Sequence, residues 1–301
     1  MIRVLLTGAT GFVGSHILRS LLQRNVELVA VSRRRPLIAG NYSWREADIL
    51  SGDLNNLLRD KNISHVLHAA WYVEHGKFWN HAINDDWRDA TIALARQAAG
   101  LGVRRFVSLG TCHEYDWPVD ADCDELITPI APHTPYDTAK TQTRLAIESV
   151  ALETGMDFCW PRLFFPFGSG EAAERLIPYI CQSLARGAPA RCTRGDKIRD
   201  FIAVEDAGRL LADLCLSDVK GSVNIATGRS TSIADIATCL GEISDKPDLI
   251  HLGALPDRDG DPLRITGDTK RVSSMPSFSS IPSLEQRLAE TFDFWRSRTE
   301  N

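Results

Sequence analysis

Two short stretches of this sequence bring together residue types that can do chemistry. In Tyr136-Asp137-Thr138-Ala139-Lys140 a phenol and an ammonium stand at i and i+4, on one face of a helix and about a turn apart. An ammonium beside a phenol favours the phenolate. Lys140 is therefore expected to pull the Tyr136 pKa down from about 10 toward working pH and make the tyrosine a usable proton donor or acceptor. The second stretch, Thr7-Gly8-Ala9-Thr10-Gly11-Phe12-Val13-Gly14, is a G-x-x-G-x-x-G loop between a strand-like run at residues 2–6 and a helical pattern. Gly8 permits a tight turn, Gly11 lets backbone approach a pyrophosphate, and Gly14 lets helix pack on strand. The helix N-terminus then offers free N–H groups and partial positive charge to phosphates. Set within one βαβ unit, this loop reads as a dinucleotide-binding site.

Which dinucleotide depends on the end of the second strand, where a carboxylate would accept the ribose 2′-hydroxyl of NAD and repel the 2′-phosphate of NADP. The strand ends Val31-Ser32-Arg33-Arg34, with no acid and with guanidinium groups suited to bidentate phosphate contact. NADP(H) is favoured over NAD(H). Asp48, after a further apolar segment, is a candidate partner for the adenine amino group.

These residues must be positioned by alternating strands and helices. Apolar runs at 2–6, 27–31, 66–67, 105–109 and 158–163 alternate with helical patterns at 12–24, 84–100 and 136–154, the rhythm of a parallel sheet with right-handed crossovers. After residue 165 the texture changes to a glycine- and proline-marked segment with a helix at 174–186. Strand texture returns at 201–204, followed by a helix at 205–216 and a strand at 223–226. The expected class is α/β: a Rossmann-type doubly wound parallel sheet with a smaller, interleaved C-terminal substrate lobe. Residues 1–165 with about 200–226 form the cofactor domain, and 166–199 with 227–301 form the substrate lobe.

Composition excludes other classes. The 301 residues carry 34 Lys+Arg against 39 Asp+Glu, a net charge of −5, and are 44% hydrophobic, so a core forms without disulfides or metals and disorder is not expected. No basic run extends beyond Arg33-Arg34-Arg35, which argues against a nucleic-acid partner. No apolar stretch approaches the roughly 18 to 20 residues that span a bilayer, so a membrane partner is not expected and the chain reads as cytoplasmic and leaderless. Seven scattered cysteines without a C-x-x-C pair, and eight histidines without H-x-x-x-H or H-E-x-x-H spacing, predict neither a disulfide framework nor a metal site. His65 and His68 read as core or strand-end histidines.

Five motifs stand in order: the TGATGFVG loop, Tyr136/Lys140, Arg162-Leu163-Phe164, Arg199-Asp200-Phe201-Ile202 and Arg258-Asp259-Gly260-Asp261. On these the chain resembles, over nearly its whole length, the extended short-chain dehydrogenase/reductase family of nucleotide-sugar epimerases, dehydratases and 4-ketoreductases. The resemblance implies that Tyr136 is the catalytic acid/base, that Lys140 also holds the nicotinamide ribose, and that Thr111 hydrogen-bonds the reacting sugar oxygen. It implies cofactor contacts from Gly8, Thr10, Gly11, Phe12, Val13, Gly14, Ser32, Arg33, Arg34, Asp48, Ala69 and Ala70, besides Tyr136 and Lys140. Substrate contacts would come from Thr111, Cys112, His113, Phe165, Arg175, Arg199 and Arg258, with Arg199 and Arg258 clamping a diphosphate. Trp87 and Phe165 stand where the family usually has asparagines, which implies a more apolar or differently shaped sugar site.

Family dehydratases carry an Asp-Glu pair after the catalytic threonine, whereas this chain has Cys112-His113, so dehydration is not expected; His113 would shuttle a proton only if it faced the site. A 4-ketoreductase consumes NADPH at each turnover and a 4-epimerase usually keeps NAD bound. The Ser32-Arg33-Arg34 signature therefore favours an NADPH-dependent 4-ketoreductase of an NDP-4-keto-6-deoxyhexose, with an NDP-sugar 4-epimerase as the alternative. A reductase of a small non-nucleotide carbonyl compound and a non-catalytic NADP-binding relative are further alternatives. The family also implies a homodimer through helices at 85–100 and 138–153, hiding Ile92, Ala95, Leu145 and Ile147.

Overall fold

The structure, a computed structural model, describes residues 1–51, 57, 58, 62–257 and 260–299. The expectation for Arg258 falls outside the described residues. The alternation along the chain becomes one parallel sheet of β1 (Arg3–Thr7), β2 (Glu27–Ser32), β3 (Ser43–Glu46), β4 (His65–His68), β5 (Arg105–Ser108), the short β6 (Gly110–Thr111), β7 (Asp157–Leu163) and β8 (Gly221–Ile225). Its order is β8-β7-β5-β4-β1-β2-β3, with β6 beside β7. Strand order reverses at β1, which pairs in parallel with β2 on one side and β4 on the other. In such sheets the crevice beyond the carboxyl ends at this reversal is where ligands bind.

The helices are α1 (Phe12–Leu21), α2 (Ile83–Gly100), α3 (Pro135–Thr154), α4 (Leu176–Ala185), α5 (Val204–Leu216), α6 (Ile233–Ile243) and α7 (Leu284–Thr299). Because successive strand residues face opposite ways, β1 sends Val4 and Leu6 into a core with α1 and α5, and Leu5 into a second core with α2 and α3. A third cluster, with Ile180, Leu184, Ile236, Leu240, Leu288 and Phe292, unites α4, α6 and α7 into the smaller lobe.

The chain does return to the first lobe through α5 and β8, but Phe201–Ala203 pairs with Phe165–Phe167 in a separate two-stranded sheet. Val272 and Met275, from the segment expected in the smaller lobe, join the α1/α5 core. Asp200 ties these parts together. Its buried carboxylate accepts from Thr227 N and Oγ1 (both 2.8 Å), Gly228 N (2.9 Å) and Gly267 N (3.3 Å). Ala95 and Ile147, expected at a dimer interface, lie fully buried on the sheet-facing sides of α2 and α3, whereas Leu145 and Leu152 are exposed. The seven cysteines are free thiols. Among the described residues no helix is long and apolar enough to cross a membrane.

Candidate active site

A cavity of about 500 Å³ runs from the glycine loop to Arg175 at the start of α4. Its nucleotide end is shaped by backbone. Gly8 has φ +70°, and a Cβ there would lie 2.7 Å from Ala70 N; a Cβ on Gly14 would lie 2.0 Å from the Gly8 carbonyl oxygen. Only glycine fits either place. No side chain caps α1 at Gly11, so its first-turn N–H groups remain available to an anion. Ser32, Arg33, Asp48, Ala69 and Ala70 complete this end of the lining, and the cradle fits a dinucleotide pyrophosphate. The Ser32 hydroxyl donates to Arg34 O (2.6 Å) and accepts from Trp44 Nε1 (3.2 Å), so it pins the arginine turn. Asp48 is exposed and accepts from Leu50 N at 3.0 Å.

Arg34 faces a second, adjoining cavity of about 810 Å³, which Arg33 borders as well, together with Thr10, Ser15, Arg19 and Arg35. None of these four arginines has an ion-pair partner among the described residues.

The reacting centre is set by local signals. Thr134 and Asp137 form a capping box and Pro135 opens the helix, which places Tyr136 in the first turn of α3. Glu114, fully buried, accepts from Thr111 N (3.0 Å) and Trp160 Nε1 (2.8 Å) and pairs with Arg162 (3.2 Å), fixing the end of β6. The Thr111 hydroxyl accepts from His113 N at 3.2 Å and faces the Tyr136 phenol, whose pKa it lowers.

Tyr136 and Lys140 share the cavity, but the electrostatics differ from the expectation. Burial pushes the Tyr136 phenol well above its ordinary value, with Asp137 and Glu114 adding to the effect; the Thr111 hydroxyl works against it. Burial likewise pushes Lys140 down to about 7, while Glu114 resists. The ammonium donates to Leu109 O (2.8 Å) and sits 3.7 Å from the Trp71 ring centre, against 5.9 Å from that of Tyr136. Desolvation dominates at both groups, and the ammonium is spent on Leu109 O rather than on the phenol.

The end of the cavity beyond Tyr136 is walled by aromatic rings. Phe78 and Trp79 meet Tyr136 edge-on at 4.8 and 5.6 Å, and Trp87 stacks on Trp71 at 6.1 Å. Sequence reasoning missed Trp71, Phe78, Trp79 and their anchor Asn84, whose side chain accepts from Trp71 Nε1 (2.9 Å) and donates to Phe78 O (2.6 Å) and His81 O (2.9 Å). The available signal was the density of aromatic residues just after β4. Phe165 and His113 lie in the wall as expected. Cys112 does not: its thiol is packed into a core cluster with Tyr115 and Phe164, because the turn after Thr111 faces the interior at that position.

Arg175 lines the cavity and pairs with Glu171 at 2.9 Å, a carboxyl that burial pushes up to about 7. Arg199 stands behind Phe165, 5.5 Å from its ring centre, and pairs with Asp261 at 2.8 Å. It is outside the described cavity wall because the aromatic ring at 165 covers it.

Residues 4–226, spanning the glycine loop, Thr111, Tyr136 and Lys140, match the NAD dependent epimerase/dehydratase family. The chain belongs to that family. It is thus an enzyme of the extended short-chain dehydrogenase/reductase type, whose relatives act on nucleotide-diphosphate sugars. The chain is 26% identical over 299 residues to a UDP-glucose 4-epimerase of Azospirillum brasilense, covering 90% of this chain and 85% of that one. It is 23% identical over 246 residues to a dTDP-6-deoxy-L-talose 4-dehydrogenase (NAD(+)) of Aggregatibacter actinomycetemcomitans, covering 76% and 86%. Among solved structures, MoeE5 in complex with UDP-glucose and NAD superposes with a TM-score of 0.84 at 28% identity, covering 99% of this chain and 100% of MoeE5.

Proposed function

We propose that this family member is an NADPH-dependent 4-ketoreductase acting on an NDP-4-keto-6-deoxyhexose. The observation that carries the reading is the end of β2, where Arg33 and Arg34 border an open cavity with Arg19 and Arg35 and no carboxylate pairs with them among the described residues. Such a site suits a 2′-phosphate and offers no carboxylate to accept from a 2′-hydroxyl. The upward push on Tyr136 agrees, since a phenol that keeps its proton is a donor to a developing alkoxide, the need of a reductase.

The cofactor, when bound, supplies the hydride. Tyr136 protonates the oxygen at C4 and Thr111 hydrogen-bonds that oxygen. Lys140 holds the nicotinamide ribose, the α1 N-terminus meets the pyrophosphate, and Arg175, with Arg199 behind Phe165, supplies positive charge to the substrate diphosphate. The protein works in the cytoplasm as a homodimer joined by the outer faces of α2 and α3, where Leu145 and Leu152 are exposed.

A second reading, an NDP-sugar 4-epimerase, is favoured by the Azospirillum relative. The deciding experiment follows NADPH absorbance at 340 nm with a panel of dTDP-, CDP-, GDP- and UDP-4-keto-6-deoxyhexoses, with NMR of the product. NADPH consumption with a new C4 alcohol is the expected result. An inverted C4 centre on a parent NDP-hexose without NADPH loss identifies the epimerase, and silence in both returns the question to small carbonyl substrates or a non-catalytic role.

A further inference from the structure

Lys140 is buried, and among the described residues no carboxylate lies within ion-pair distance of its ammonium. Glu114 supports the charge from further off, its own oxygens being taken by Thr111 N, Trp160 Nε1 and Arg162. One ammonium donor goes to Leu109 O at 2.8 Å, and the other close contact is the indole of Trp71, whose ring centre lies 3.7 Å from Nζ. The rings of Tyr136 and Trp160 stand off at 5.9 and 6.0 Å. A cation over an aromatic face is attracted by the ring quadrupole, most strongly over tryptophan and where water is excluded.

The indole is held in that position. Its Nε1–H donates to Asn84 Oδ1 at 2.9 Å, and the Asn84 amide is fixed in turn by Phe78 O and His81 O. Trp87 stacks on the ring at 6.1 Å and 30°, and Tyr136 meets it edge-on at 6.4 Å and 83°. One side chain therefore adjoins both members of the Tyr136/Lys140 pair. The titratable groups around the ammonium are Tyr136 on the same helix, Glu114 from the turn after β6, and His68 on β4, an imidazole that burial holds at about 3 and hence uncharged. Burial pushes Lys140 itself down to about 7, so whatever supports the ammonium decides how much of it survives at working pH.

We propose that Trp71 is a positioning residue for the Tyr136/Lys140 pair: its indole face fixes the lysine ammonium in the cavity and keeps it charged beside the tyrosine. A neutral lysine would not stabilise the phenolate left when Tyr136 gives up its proton. This inference rests on the reading of Tyr136 as proton donor and Lys140 as its partner, whichever NDP-hexose is turned over.

The test follows the Lys140 Cε resonance by carbon-13 NMR through a pH titration of lysine-labelled protein, with the resonance assigned by its loss in Lys140→Met. Trp71→Leu removes the aromatic face and Trp71→Phe keeps a weaker one. Singly and doubly fluorinated tryptophan at position 71 weakens the face in steps while keeping the ring's shape and its bond to Asn84. The Lys140 midpoint is expected to fall by roughly one pH unit in Trp71→Leu, by less in Trp71→Phe, and stepwise with fluorination. In turnover the alkaline limb of the kcat profile should move down with it, so that kcat above both midpoints drops by up to about tenfold.

A midpoint that stays or rises across the series overturns the proposal in favour of packing alone, and so does a higher KM for the sugar with the alkaline limb unmoved. If thermal melts show Trp71→Leu unfolded, the fluorinated series decides. If wild type turns over none of the panel, the functional reading fails separately, and the NMR midpoints, which need no substrate, still decide whether Trp71 holds the charge.

Discussion

At one end of the cavity the walls are backbone: Gly8, held at φ +70° against Ala69 and Ala70, and the uncapped start of α1. At the other end they are large side chains, Trp71, Phe78 and Trp79, brought onto Tyr136 and Lys140 by a loop that Asn84 anchors. The backbone of the first end can read only what every dinucleotide shares, since peptide N–H groups recognise phosphate and little else, and any preference between dinucleotides there falls to Arg33 at its edge. The second can be rebuilt residue by residue to fit one substrate. Changes at the two ends should therefore separate cofactor binding from sugar turnover.

The sharpest separation is expected from Tyr136→Phe, which should lower kcat by about 10²- to 10⁴-fold while NADPH affinity, read by fluorescence titration, stays unchanged. Equal losses in both would dissolve the division between the ends. The converse change, Arg33→Ala, should cost NADPH binding about 1.5–3 kcal/mol, leave NADH binding nearly as it was, and leave kcat at saturating NADPH intact. If NADPH and NADH affinities fall together, the arginine contacts something other than the 2′-phosphate.

Asn84→Ala removes the acceptor for Trp71 Nε1 and the donor to Phe78 O. It should cost about 1–3 kcal/mol of stability by thermal melting and raise KM for the sugar, without weakening NADPH. A loss of cofactor affinity instead would place the aromatic loop in the nucleotide end.

The smallest effect concerns Lys140. Its pKa is lowered to about 7 by burial, so the folded protein binds this proton less readily than the unfolded chain does. The penalty is fully present below pH 7 and fades as pH rises toward the unfolded value of 10.5. Lys140→Met should melt higher than wild type at pH 6, with the gain shrinking steadily toward pH 10. A gain that grows with pH would mean that the lysine is stabilised as an ammonium, with Trp71 and Glu114 outweighing desolvation.

Much of the nucleotide end was legible in the chain. A strand, three glycines and an amphipathic helix are neighbours in sequence, so their spacing already states the turn, the close approach and the exposed helix terminus. The Tyr136/Lys140 pairing was legible for the same reason, since one helix carries both residues. Cys112 was misjudged because, beside Thr111 in a tight turn, one residue of rotation decides between cavity and core. Arg199 was placed in the cavity by its motif, while the ring of Phe165 that covers it comes from a strand thirty-odd residues earlier.

By itself the sequence determined the parallel α/β order, the glycine turn that opens α1 and the pairing of Tyr136 with Lys140 on one helix, because each depends on contacts within a few turns of chain. Only the tertiary structure decided which aromatic residues wall the far end of the cavity, that the His113 ring faces it with no hydrogen bond among the described residues, and that Tyr136 is driven up rather than down. Those outcomes depend on desolvation, which sums over every segment packed around a group, and no local spacing contains that sum.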